Sequence, residues 1–157
     1  MLPVKLEAGK LYRVGINSKS HRNFKSVEGL PVRPQVLAFA TKGADASTIT
    51  GLEPPEAVSL APGDGDESVS PTLERLTVTF DRPMGGGFSW TGGGDHYPET
   101  TGKPEWSADK KTCTLPVKLK PNWDYVLGLN SPSHNNFQSE SGVPLEPVAW
   151  QFKTADK

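Results

Sequence analysis

Cysteine is almost missing from this chain: Cys113 is the single one in 157 residues. An internal disulfide, a disulfide scaffold and a cysteine zinc site are therefore excluded, because each needs at least two thiols. A lone thiol of this kind is expected to be a small buried apolar residue. Long hydrophobic runs are missing too. Nothing approaches the roughly 18 consecutive apolar residues of a membrane span, and the N-terminus lacks the basic, apolar and small-residue order of a signal peptide. Glycine (16) and proline (15) are plentiful instead. They break runs of Val, Thr and Leu into short pieces, which favours many short strands over long helices.

The formal net charge of −1 hides a division along the chain. Residues 1–43 carry Lys5, Lys10, Arg13, Lys19, Arg22, Lys25, Arg33 and Lys42 against Glu7 and Glu28, and the remainder is acidic. The two parts are expected to attract one another. The basic residues are scattered through apparent strands with no compact patch, which argues against nucleic acid and for solvated strand faces.

The strongest signal is internal repetition. Leu2–Thr41 aligns with Leu115–Thr154 without a gap, and about half of the positions are identical. Tyr12, Val14 and Ile16 match Tyr125, Leu127 and Leu129 at period two, while Leu11 and Arg13 between them become Asp124 and Val126. One strand face thus points inward and the other outward. Leu37 and Phe39 match Trp150 and Phe152 in a second strand, and Leu2–Leu6 matches Leu115–Leu119 in what reads as a third. Leu76, Val78 and Phe80, then Cys113, Leu115 and Val117, alternate with polar residues as half-buried antiparallel strands do. Ala57–Leu60 reads as the opening strand of this set. The fold expected is an all-β, immunoglobulin-like antiparallel sandwich preceded by the C-terminal strands of a second copy. The domain division expected is 1–43 as an incomplete repeat, 44–52 as linker and 53–157 as the complete domain. A chain that opens inside a repeat is expected to be a piece of something longer, with any targeting segment upstream.

The residues that could carry chemistry fall into three groups. Asn130, Ser131, Ser133, His134 and Asn136, repeated as Asn17, Ser18, Ser20, His21 and Asn23, can line a recognition loop. The same residue types also cap turns by bonding to nearby backbone, with Phe137 or Phe24 as anchor. No acidic residue stands beside the histidine to complete a hydrolase triad. Trp90 and Tyr97, set among the glycine triplets Gly85–Gly87 and Gly92–Gly94, can stack on a sugar or fill a core. Those glycines lack the spacing and the following Lys-Ser or Lys-Thr of a nucleotide loop. Asp64, Asp66 and Glu67 lack the ligand alternation of an EF-hand and read as a solvated acidic turn. No catalytic, metal or cofactor site is expected.

The text Leu76-Thr77-Val78-Thr79-Phe80-Asp81-Arg82-Pro83-Met84, with Pro62-Gly63 and Val69 before it and Tyr125 and Phe152-Lys153-Thr154 after it, resembles bacterial immunoglobulin-like domains of surface and exported proteins. Phe88-Ser89-Trp90, Tyr97-Pro98-Glu99 and Lys111-Thr112-Cys113 are similar to repeats of planctomycete-type multidomain proteins. The resemblance implies a non-catalytic spacer or interaction module of a larger bacterial exported or cell-surface protein, placed outside the cell, on its surface or in the periplasm. Its implied partners are a protein or neighbouring domains of the same chain, or a second copy by strand sharing through residues 1–43. Neither nucleic acid nor membrane insertion is expected. The alternative is a carbohydrate-binding module using Trp90, Tyr97, Asn130, Ser133, His134 and Asn136.

Overall fold

In the computed structural model of the chain, residues 2–18, 20–45, 48 and 51–157 are described. They fall into two compact units, Met1–Glu53 and Pro54–Lys157. Part of the expected linker, residues 46, 47, 49 and 50, lies outside the described residues. Nearly all regular structure is β, and no helix among the described residues is long and apolar enough to cross a membrane.

The first unit holds one antiparallel pair, β1 (Leu11–Ile16) and β2 (Gln35–Ala40), with Tyr12 opposite Phe39 and Val14 opposite Leu37. The second unit contains β3 (Ala57–Ala61), β4 (Asp66–Val69), β5 (Arg75–Phe80), β6 (Trp90–Thr91), β7 (Glu99–Thr100), β8 (Glu105–Trp106), β9 (Thr112–Lys118), β10 (Asp124–Leu129) and β11 (Val148–Thr154). One sheet runs β3-β5-β9-β7, with β8 also paired to β9. The other runs β4-β11-β10-β6. All pairs are antiparallel except β4 with β11, whose parallel contact carries a register shift between Phe152 and Thr154.

Alternation places Leu76, Val78 and Phe80 of β5 and Cys113, Leu115 and Val117 of β9 inward, all 3% exposed or less. Tyr125, Leu127 and Leu129 of β10 and Trp150 and Phe152 of β11 are similarly buried and complete the core of a β-sandwich. Each such side chain contributes roughly 1.5–3 kcal/mol by leaving water. Tyr125 stacks on Phe152 at 5.2 Å and Trp90 lies 6.0 Å from Trp150 within the second sheet, while Phe137, from the segment between β10 and β11, lies 5.4 Å from Phe80 of β5 and so joins the two layers.

One expected strand is not formed. Residues 2–6 have no ladder partner, and Leu2, Val4 and Leu6 are 71%, 61% and 43% exposed, whereas their counterparts Leu115, Val117 and Leu119 are 2%, 3% and 7% exposed in and just after β9. The cause is the missing neighbour. β9 exists by bonding to β5 on one side and to β7 and β8 on the other, and the first copy contains no equivalents of those strands. A strand without a partner leaves its backbone groups to water and has no reason to persist.

Candidate functional site

The loop joining β10 to β11 is pinned by Asn130, which takes the left-handed conformation at φ 58°, one that asparagine tolerates better than other non-glycine residues. This orientation turns its amide into the loop. Nδ2 donates to the Phe137 and Leu145 carbonyls, both at 2.9 Å, and Oδ1 accepts the Phe137 N–H at 3.0 Å. Three bonds from one buried side chain hold the two halves of the loop together. Phe137 is fully buried against Val78, Phe80 and Leu145.

The remaining loop polar groups are engaged with backbone or with other side chains of the same unit. Ser131 Oγ accepts the His134 N–H at 3.2 Å, and Ser133 Oγ lies 2.9 Å from His134 Nδ1. Among the described residues no carboxylate bonds to His134, so the Ser133 and His134 pair lacks the third group that would orient an imidazole for proton transfer. Asn136 reaches across to Ser89, whose Oγ accepts both the Asn136 N–H at 3.1 Å and its Nδ2 at 3.0 Å. Ser89 also accepts the Asn130 N–H through its carbonyl at 2.9 Å. Sequence reasoning missed Ser89 as the clip of this loop. Its signal was the polar residue between Phe88 and Trp90.

Trp90 sits opposite Leu129 on β6, close to Asn130 in the ladder, but its ring packs against both clusters of the core. Its indole N–H is buried with no hydrogen-bond partner, as is that of Trp150. It approaches the Cys113 sulfur, which offsets only part of a large effect: burial pushes the Cys113 thiol up to about 12. Tyr97 is half-buried against the same core, and burial raises its phenol above the ordinary range. Its ring lies over Gly92, where a Cβ would come within 2.6 Å of Tyr97 Cδ2. Asn130, Ser133, His134 and Asn136 are therefore gathered on one loop, while the rings of Trp90 and Tyr97 face the packing. Two open grooves flank the loop, one of about 460 Å³ lined by Thr91, His96 and Ser131, the other of about 520 Å³ lined by Phe88 and Asn136.

Two carboxylates of the acidic turn accept backbone N–H groups. Asp66 Oδ2 accepts the Gly63 N–H at 2.6 Å, and Asp64 Oδ1 accepts the Gln151 N–H at 2.8 Å, stitching the turn to β11.

No protein-family model matches the chain, and no curated protein does. Among solved structures it is similar to the S-layer protein rSbsC(31-844). That likeness has 17% identity and a TM-score of 0.42, and covers 67% of this chain and 14% of that one.

The first unit repeats the asparagine latch and the serine–histidine contacts of this loop, without the bonds to Ser89. Asn17, also at φ 58°, donates to the Phe24 carbonyl at 2.9 Å and the Val32 carbonyl at 2.7 Å, and accepts the Phe24 N–H at 3.0 Å. Ser20 Oγ lies 3.0 Å from His21 Nδ1. At the other end, Tyr125 Oη accepts the Lys120 N–H at 2.7 Å and Thr154 Oγ1 donates to the Lys120 carbonyl at 2.7 Å. Tyr12 and Thr41 do the same to Glu7, both at 2.7 Å.

Proposed function

We propose that the chain is a non-catalytic immunoglobulin-like structural and interaction module of a larger bacterial exported or cell-surface protein. The observation that carries this reading is how the most reactive-looking loop spends its polar groups. Asn130 and Ser131 bond to loop backbone, Ser133 to the side chains of Ser131 and His134, and Asn136 to Ser89, so each is engaged inside the protein, and Asn17, Ser18 and Ser20 in the first copy are engaged as Asn130, Ser131 and Ser133 are. What the duplication preserves is scaffold. A tyrosine at the start of β10 whose hydroxyl bonds to backbone five residues upstream supports the immunoglobulin-like assignment, because such sandwiches use a tyrosine corner at this junction. The Leu76–Met84 text and its likeness to bacterial surface domains support the exported location.

Protease shaving of intact source cells tests the location. Peptides of this protein are expected in the released fraction; their confinement to the cytosol would contradict the reading. The alternative, carbohydrate binding through Trp90, Tyr97 and the His134 loop, draws less support because both rings face the packing. A glycan array probed with the intact chain separates the two. Selective binding that His134→Ala and Asn136→Ala abolish would favour the alternative, and silence across the array supports the scaffold reading.

A further inference from the structure

The face formed by the β1–β2 pair and the loop between them is dressed as a core surface and is incompletely covered: Tyr12, Val14, Ile16 and Phe39 are only partly buried, whereas Tyr125, Leu127, Leu129 and Phe152 are buried. Phe24, Val32 and Leu37 are 64%, 44% and 58% exposed, while their counterparts Phe137, Leu145 and Trp150 are 0%, 4% and 1% exposed. Backbone geometry does not explain the contrast, because register, the asparagine bonds and the tyrosine corner are the same in both copies. What differs is the cover. In the second unit the equivalent surface lies against Leu76, Val78, Phe80, Met84 and Cys113, contributed by β5, β9 and the turn after β5. Ser89 adds polar contacts to this loop, its hydroxyl to Asn136 and its carbonyl to the Asn130 N–H. Asn23, the twin of Asn136, has no such serine in the first copy.

We propose that the β1–β2 face binds an N-terminal half-sandwich of the same construction as residues 54–114, carried by a polypeptide segment other than these 157 residues. Three observations select this occupant. The twin face is covered by just such a half. A two-stranded sheet alone is marginal in water, so the first unit gains most from a partner that adds strands and closes a core. Charge agrees as well: residues 2–41 contain seven Lys and Arg against two Asp and Glu, a net +5, whereas residues 54–114 contain five against ten, a net −5. The C-terminal half 115–154 is balanced at three against three, so the basic character belongs to the unoccupied copy. A second copy of this chain is the poorer occupant. Its own half-sandwich is already filled by β10 and β11, whose Trp150 fills more space than Leu37.

The inference takes its biological setting from the proposed function, but its test is independent of location or export. The experiment extends the full chain by placing an additional copy of residues 54–114 directly ahead of Leu2. Amide exchange in β1 and β2 is expected to slow by at least about a hundredfold relative to the unextended chain, and Val14→Asp in the extended chain should cancel the gain. As a second readout, Leu37→Trp places an indole where the twin copy carries one. Acrylamide should quench it in the unextended chain and fail to quench it in the extended one. Unchanged exchange together with a still-quenched indole would overturn the proposal. So would protection of β1–β2 in the unextended chain that rises with concentration alongside dimer formation, since the occupant would then be a second copy.

Discussion

Phe24 and Phe137 hold the same place in two copies of one loop, each giving its backbone N–H to an asparagine Oδ1 at 3.0 Å, yet Phe24 is 64% exposed and Phe137 is fully buried. The local conformation is thus encoded within some 40 residues and does not require the sandwich. The burial does require it. Local hydrogen bonds and tertiary packing, usually inseparable, are here separated inside a single chain.

The Asn130 latch should be the most sensitive polar position. Asn130→Ala removes three bonds from buried groups and puts alanine in a left-handed conformation, costing about 2–4 kcal/mol. Urea denaturation followed by tryptophan fluorescence reports on the second unit alone, since Trp90, Trp106, Trp123 and Trp150 all lie there. Asn17→Ala should leave that transition where it is.

Trp150→Leu writes into the second copy the residue that the first copy carries. The lost volume costs about 2–4 kcal/mol by cavity formation, and removal of an indole N–H buried without a partner returns about 1 kcal/mol of it. A net loss near 2 kcal/mol in the same denaturation assay is expected. A neutral result would mean that the core collapses freely around the smaller side chain.

Cys113 is buried, and its thiol is pushed up to about 12. In the unfolded chain the thiol ionises near its ordinary value, so folding is undiminished by this group below that value. Between about 9 and about 12 the unfolded state releases a proton that the folded state keeps, and stability falls as pH rises. Cys113→Ala should flatten that decline in chemical denaturation at successive pH values. At pH 8 a thiol reagent should label wild-type chain only as fast as the second unit opens.

Gly92 and Gly93 are neighbours with opposite expectations. Gly92 has φ +133°, and its missing Cβ leaves room for the Tyr97 ring, whereas a Cβ on Gly93 meets nothing within 4 Å. Gly92→Ala should lower the melting temperature of the second unit by several degrees, through both strain and displacement of the tyrosine. Gly93→Ala should leave it within about a degree.

Much of the sandwich was legible because period-two alternation was long enough in β5, β9, β10 and β11 to assign faces, and because the repeat supplied a second version of two of them. The two-residue strands β6, β7 and β8 are too short to show a period, and the parallel contact of β4 with β11 joins segments far apart in sequence. Residues 2–6 show the limit most clearly. Leu2-Pro3-Val4-Lys5-Leu6 is identical to the last four residues of β9 and the residue after it, and forms no strand, because a strand is completed by partners that its own letters do not contain. The candidate loop was readable as a set of residues. The direction of its amides was not, since Asn130 can face solvent or loop until φ and the Phe137 and Leu145 carbonyls are fixed in space.

Residue-resolved amide exchange on the intact, unextended chain tests the central claim, that a complete sandwich and an uncovered half of the same construction share one polypeptide. The account predicts that amides of β10 and β11 exchange only through global opening of the second unit, while the matching amides of β1 and β2 exchange at least about a hundredfold faster. Equal protection of the two copies would contradict it.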